Sequence, residues 1–186
     1  MKDLSTRVAA LGTVAGTMWV VHILDFLIPG SGSPLGHGII PRTWIGLQGI
    51  PVAPLIHASL QHLAANTIPF LVLGGLVLLR GVGEFFFVVL TCTFVAGAGT
   101  WLFGAGNAQH IGASGVVFGL FGFLLFRTLY DRRWSSAVIT LVVAVLYGAT
   151  MAQSIIPSAG ISWSGHFFGF LGGIAAARLR RTRLSA

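Results

Sequence analysis

Apolar runs long enough to cross a bilayer recur along almost the whole chain, and no other feature restricts its fold as strongly. A membrane-spanning helix takes about 20 mostly apolar residues. Breakers divide the runs into six predicted helices, at about 8–28, 56–79, 85–103, 114–130, 135–153 and 163–180. Pro29, Gly30, Ser31, Gly32, Ser33 and Pro34 end the first helix and open a connection that runs to Pro54. Pro157, Ser158, Ala159 and Gly160 separate the last two helices. Only 8% of the residues are charged, against roughly 25% in a soluble domain. In 186 residues, six spans leave no space for a separate soluble domain, so residues 1–186 are expected to form one membrane domain. The first apolar stretch is too long for a cleavable signal peptide and lacks a small-residue cleavage site.

The basic residues are placed as topology determinants. With the N-terminus in the cytoplasm, the inner segments hold Lys2, Arg7, Arg80, Arg127, Arg132, Arg133, Arg178, Arg180, Arg181 and Arg183, and the outer segments hold Arg42 alone. Positive residues concentrate on the cytoplasmic side, so this asymmetry predicts both termini inside and supports an even number of spans. The formal charge of +7 forms no basic face with interleaved aromatics, which argues against a nucleic-acid partner. Cys92, inside an apolar run, rules out a disulfide framework and a cysteine metal cluster.

Polar residues inside a membrane are expensive, so those that remain are candidates for function. His57, His62 and Asn66 lie near the start of the second predicted helix, Ser114 at the start of the fourth, and His166 near the start of the sixth. The topology places all of them at one depth, near the outer face. Ser114 sits in Gly112-Ala113-Ser114-Gly115; a serine at a helix N-terminus lies beside unpaired N–H groups that favour negative charge, although it can equally cap the helix or pack as a small residue. Gly165, Gly169 and Gly173 repeat every four residues around His166, and Gly115 and Gly119 match them on the fourth helix. Such strips permit close backbone approach, near enough for a Ser114–His166 hydrogen bond, though His166 alone could be a structural residue. His62 and Asn66 share a helix face and suit an oxyanion hole or a polar tie between helices. Spacing from His62 predicts that His57 points elsewhere and packs a loop. Of the four acidic residues, Asp3, Glu84 and Asp131 fall on the inner side, and nothing connects Asp25 with His166; a Ser-His dyad is therefore expected rather than a triad.

Together, His57-x4-His62-x3-Asn66, Gly112-Ala113-Ser114-Gly115 and His166-x2-Gly169-x3-Gly173 resemble the rhomboid family of intramembrane serine proteases, in the family's order and over nearly the whole chain. The resemblance implies an all-α membrane protein with a six-transmembrane-helix bundle. It implies Ser114 as nucleophile, His166 as general base, and His62, Asn66 and the Ser114 backbone N–H as oxyanion donors. His57, Gly112, Gly115, Phe118 and Gly169 would support the site. The implied partners are transmembrane protein substrates within the lipid bilayer, cut near their outer end from a cavity open to the outer side of the cell membrane, with no metal and no organic cofactor. Two departures stand out. The Trp-Arg pair that many members carry is replaced by Pro41-Arg42-Thr43-Trp44, and Phe118 stands where some members have tyrosine.

Two other classes use the same residues. A non-catalytic rhomboid-like chaperone or adaptor would need only the helix packing, and its cheapest signature, a damaged dyad, is absent. A metal site or transporter built on His57, His62, His110 and His166 lacks both a His-Glu-x-x-His pattern and an outer carboxylate.

Overall fold

The computed structural model describes residues 2–28, 33, 35–131, 133–154, 156 and 162–180. Pro29, Gly30, Ser31, Gly32, Pro34, Pro157, Ser158, Ala159 and Gly160, with Arg132, Arg181 and Arg183, lie outside the described residues. The chain forms α1 (Lys2–Leu27), α2 (Trp44–Gln48), a 3-10 turn (Ala53–Leu55), α3 (Leu60–Leu78), α4 (Val82–Phe103), α5 (Ser114–Asp131), α6 (Trp134–Ser154) and α7 (Trp163–Leu179). Among the described residues the only β pairings are isolated bridges, Ser33 with Gly36 and Ile39 with His110. Helices α1, α3, α4, α5 and α6 are long and apolar enough to cross a membrane, and α7 has 17 residues. Exposed Val20, Ile68, Leu90, Phe94, Leu141 and Val145 give these helices an apolar outer surface suited to lipid.

Three boundaries differ from those expected, each for a local reason. Helix α1 starts at Lys2 instead of near residue 8, because Asp3 sits favourably in the first turn and pairs with Arg7 at 2.6 Å. Helix α3 starts at Leu60 instead of 56. Pro54 is held in the 3-10 turn, and Ser59 caps the helix by accepting the His62 N–H at 3.1 Å. Helix α2 interrupts a stretch expected to be a plain connection; the Thr43 side chain caps it by accepting the Gly46 N–H at 3.1 Å. Five residues are too few to show a helical hydrophobic period.

Helix α5 is central, with buried residues from Val116 to Leu124 on nearly every face. Its contact with α7 is made backbone to backbone. A Cβ built on Gly169 would strike the Gly115 carbonyl oxygen, and one on Gly173 would strike the Gly119 carbonyl oxygen. These are the two glycine strips read from the sequence. Helix α4 closes the other side of α7, where Gly99 makes way for the Phe168 ring. Helix α6, by contrast, buries only Ser136, Val143 and Met151.

Hydrogen bonds and ion pairs identify the two ends of the bundle. At one end Arg7 donates to the Leu79 carbonyl at 3.3 Å and Arg80 pairs with Asp131 at 2.8 Å. At the other, the Ala113 N–H donates to His57 Nε2 at 3.3 Å, and the His166 ring meets the end of α6.

Because the α5–α7 contact has no room for a methyl group, Gly169→Ala and Gly173→Ala should each destabilise the fold by about 1–3 kcal/mol. Gly148→Ala on α6, where a Cβ meets nothing within 4 Å, should be neutral or slightly stabilising. Thermal unfolding of the three variants in detergent checks this ranking.

Candidate active site

Three helix starts and one helix end build the site. Helix α5 begins at Ser114, and the Val117 N–H bonds to the Ala113 carbonyl at 2.9 Å. Ala113, not Ser114, therefore stands at the cap position, and the Ser114 hydroxyl makes no capping bond among the described residues. The Ser114 N–H lies in the first turn, where the helix offers no carbonyl to accept it. The backbone reaches this point through Gly112 at φ +107°, a conformation that side-chain-bearing residues rarely adopt. The Gly112 N–H donates to the Ala53 carbonyl at 2.9 Å and the Ala113 N–H to His57 Nε2 at 3.3 Å, so the turn is held from both sides.

His57 thus does more than pack a loop. Its Nδ1 faces the Leu55 carbonyl at 3.3 Å and must carry the proton, which leaves Nε2 as the acceptor for Ala113. The sequence expectation that His57 points away from His62 is corrected: the rings meet edge to face, with centroids 5.1 Å apart. A helical-spacing argument does not apply, because α3 begins only at Leu60.

His62 and Asn66 occupy the first two turns of α3, and both reach Gly112. A Cβ at Gly112 would lie 2.7 Å from His62 Nε2 and 3.7 Å from Asn66 Nδ2. Asn66 is buried, and its amide donates to the His62 carbonyl at 3.0 Å. The second N–H of that amide has no hydrogen-bond partner among the described residues.

His166 is buried on α7, which Ser162 caps by accepting the Gly165 N–H at 3.4 Å. Its Nδ1 lies 2.7 Å from the Ser154 carbonyl at the end of α6. A carbonyl can only accept, so Nδ1 carries the hydrogen and Nε2 is the free basic nitrogen. Phe118 stacks on the imidazole, with centroids 4.1 Å apart and planes inclined by 6°; the phenyl ring fills the place considered from the sequence.

Ser114, His166, His62, Asn66 and Phe118 line one cavity of about 1020 Å³. Exposed Ala105, Ala108 and Gln109 form its rim at the end of the bundle, and Pro69 of α3 and Tyr147 of α6 face it from the side. No hydrogen bond joins Ser114 to His166 among the described residues; in the absence of substrate such bonds are often long and tighten only in the reacting complex. Gly115 and Gly169 lie behind the pair, in the α5–α7 contact.

Sequence reasoning considered His110 only for a metal site and gave Ser162 no role. His110 Nδ1 and Ser162 Oγ are 2.7 Å apart, and His110 Nε2 is 3.2 Å from the Ala105 carbonyl, so the loop before α5 is fastened to the cap of α7. Two ordinary residues in loops give no helical or motif signal that could have revealed this. Arg42 donates to the Leu102 and Gly104 carbonyls, both at 3.0 Å, and braces that same loop. Among the described residues no group of three His, Cys, Asp or Glu side chains could hold a metal ion.

A sequence profile of the Rhomboid domain family matches residues 47–183. An uncharacterised protein of Mycobacterium tuberculosis is 41% identical over 176 residues, covering 90% of this chain and 72% of that protein. An uncharacterised protein of Mycobacterium leprae is 41% identical over 186 residues, covering 92% of this chain and 72% of that protein. A Bacillus subtilis protein provisionally named a rhomboid protease is 31% identical over 120 residues, covering 64% of this chain and 60% of that protein.

Burial, reinforced by the neighbouring His62, lowers the His57 pKa to about 4. Between the ordinary histidine value of about 6.5 and about 4, the unfolded chain takes up a proton that folded His57 refuses, so stability falls as the pH is lowered through that window. Melting temperatures in detergent between pH 7 and pH 4 should decline, and the decline should be shallower in His57→Gln. A residual slope is expected from His110, whose pKa burial also lowers.

Proposed function

The chain belongs to the rhomboid family, whose members are generally intramembrane serine proteases, and from that premise we propose that it is a serine endopeptidase cleaving transmembrane segments through a Ser114–His166 dyad. One observation carries the reading: Ser114, His166, His62 and Asn66 line a single cavity in which His166 has its Nδ1 hydrogen held by the Ser154 carbonyl.

The chemistry follows from these positions. His166 Nε2 removes the Ser114 hydroxyl proton as Oγ attacks the scissile carbonyl carbon. Negative charge develops on the carbonyl oxygen, where Asn66 Nδ2, His62 and the Ser114 backbone N–H are its donors. Preorganised donors of this kind cost no reorganisation when the charge appears. His166 then protonates the departing amine, and a water deprotonated by His166 hydrolyses the acyl-enzyme. The Ser154 carbonyl takes the orienting part that an aspartate plays in a triad. Phe118 keeps the imidazole plane in place. Gly115 and Gly169 set the helix separation, and His57 and Gly112 fix the turn before the nucleophile.

In this reading α7 is the sixth span, residues 1–186 are one membrane domain, and both termini are cytoplasmic, with the cavity open to the outer side of the cell membrane. A substrate helix enters between α3 and α6, where Pro69 and Tyr147 flank the cavity and the lightly buried α6 can yield. The chemistry draws on side chains and backbone donors alone.

Ser114→Ala and His166→Ala should each abolish cleavage of a single-span substrate in liposomes while leaving the melting temperature near that of the wild type. Asn66→Ala should slow the reaction about 10²–10³-fold, the usual effect of losing one oxyanion donor. Near-normal turnover by either dyad variant would overturn the assignment. A serine-reactive phosphonate that labels the wild type but not Ser114→Ala excludes an inert scaffold.

A further inference from the structure

At the end of the bundle away from Ser114, ionised side chains converge where several helix ends meet. Arg80 pairs with Asp131 at 2.8 Å and Arg180 with Glu84 at 3.5 Å. Arg127, only 5% exposed, donates to the Ala177 carbonyl at 3.2 Å and to the Arg180 carbonyl, and it lies 3.5 Å from Asp131 and 3.9 Å from Glu84. Arg80 and Arg127 pair with Asp131 and Glu84, and Arg133, which lines the same cavity, makes no ion pair among the described residues, so these three arginines exceed the two carboxylates by one positive charge. The Nε atoms of Arg80 and Arg127 are buried and make no hydrogen bond of normal length among the described residues. Their contacts are long ion pairs, Arg80 Nε to Glu84 at 3.8 Å and Arg127 Nε to Asp131 at 3.5 Å. A buried donor without a well-formed hydrogen bond is costly, and both arginines line the same cavity.

That cavity has a volume of about 160 Å³. Its polar wall consists of Arg80, Arg127, Arg133, Ser135 and Ser136; Leu76, Leu79 and Ile139 form an apolar wall. Ser135 and Ser136 belong to the first turn of α6, a 21-residue helix whose dipole favours negative charge, and the Asp131 carboxylate already takes the Ser136 hydroxyl at 2.9 Å and the Arg133 N–H at 3.2 Å. Leu79 is exposed on the outer surface of α3, so the apolar wall leads outward to the hydrocarbon.

We propose that this cavity binds the phosphate of an anionic phospholipid headgroup, with the acyl chains leaving past Leu79. Arginine suits phosphate because its planar fork can donate two parallel hydrogen bonds, and basic pockets between transmembrane helices are a recognised form of lipid headgroup site. A free phosphate ion would satisfy the arginines equally but gains nothing from Leu76, Leu79 and Ile139. The lipid uses both walls. Bound there, it rests against the first turn of α6 and the link between α3 and α4.

The test uses the full chain purified in detergent, native mass spectrometry, and added phosphatidylglycerol or phosphatidylcholine. The wild type should retain phosphatidylglycerol at least about fivefold better. Arg133 is exposed and makes no side-chain ion pair among the described residues, so Arg133→Gln should fold normally and lower retention about fivefold. Ser135→Glu, which brings a carboxylate to the cavity without removing an arginine, should lower it at least as much. Arg178→Gln, an exposed basic residue outside the cavity, should leave retention unchanged. Equal retention of the two lipids, or an equal loss in Arg178→Gln, would overturn the site. Thermal protection by millimolar inorganic phosphate equal to that by phosphatidylglycerol would overturn its assignment to a lipid.

Discussion

The whole arrangement depends on the glycine contact at which the backbones of α7 and α5 meet directly. Gly169 faces the Gly115 carbonyl and Gly173 faces the Gly119 carbonyl, so the separation of the two helices is set by backbone atoms. In a bilayer, apolar side chains gain little by leaving lipid for protein, and helix association rests on close van der Waals packing. Small residues deliver that packing, and they also place Ser114 and His166, one on each helix, along a single cavity. A larger residue in the contact would separate the helices and the two functional groups together. The placement of Ser114 and His166 and the packing of the bundle therefore depend on the same glycines.

Around that contact, the orientation of the polar groups is set mainly by backbone atoms. The Ser154 carbonyl takes the hydrogen of His166 Nδ1, the Leu55 carbonyl that of His57 Nδ1, and the Ala113 N–H completes the His57 ring. Such partners hold each imidazole in one tautomer without placing a carboxylate in the membrane, where ionised groups are expensive. The sequence offers no acidic partner for His166, and in the structure a main-chain carbonyl, that of Ser154, meets its Nδ1. His110 and Ser162 extend the scheme by joining the loop before Ser114 to the cap of α7, which carries His166.

Charge is handled differently at the two ends. At the end away from the cavity, Arg80, Arg127 and Arg180 engage Glu84 and Asp131 and draw the ends of α3, α4, α5 and α7 together. Arg180 also lies over the Phe87 ring, 4.2 Å from its centroid. Around the cavity itself the polar side chains include histidines, serines, a threonine and amides, which need no counterion. Helix α6 belongs fully to neither, being held at its first turn by Ser136 on Asp131 and Arg80, and near its last by the Ser154 carbonyl on His166.

The sequence by itself determined the membrane environment, the positions of the long helices, the residue types in the site and the glycine strips. These properties are local or periodic along the chain: hydropathy is read over a window, and small residues four apart share a helix face whatever they pack against. The serine, both histidines and the asparagine stood out because a polar residue in lipid is conspicuous without knowledge of its neighbours. Tertiary structure alone decided which groups touch. It brought His57 against His62 and Ala113, gave His166 a carbonyl partner, joined His110 to Ser162, and gathered the arginines beside one cavity. Main-chain N–H and C=O groups are the same at every residue, so a side chain that relies on them leaves no trace of its partner in the sequence. Only the path of the folded chain selects which carbonyl or amide lies within reach.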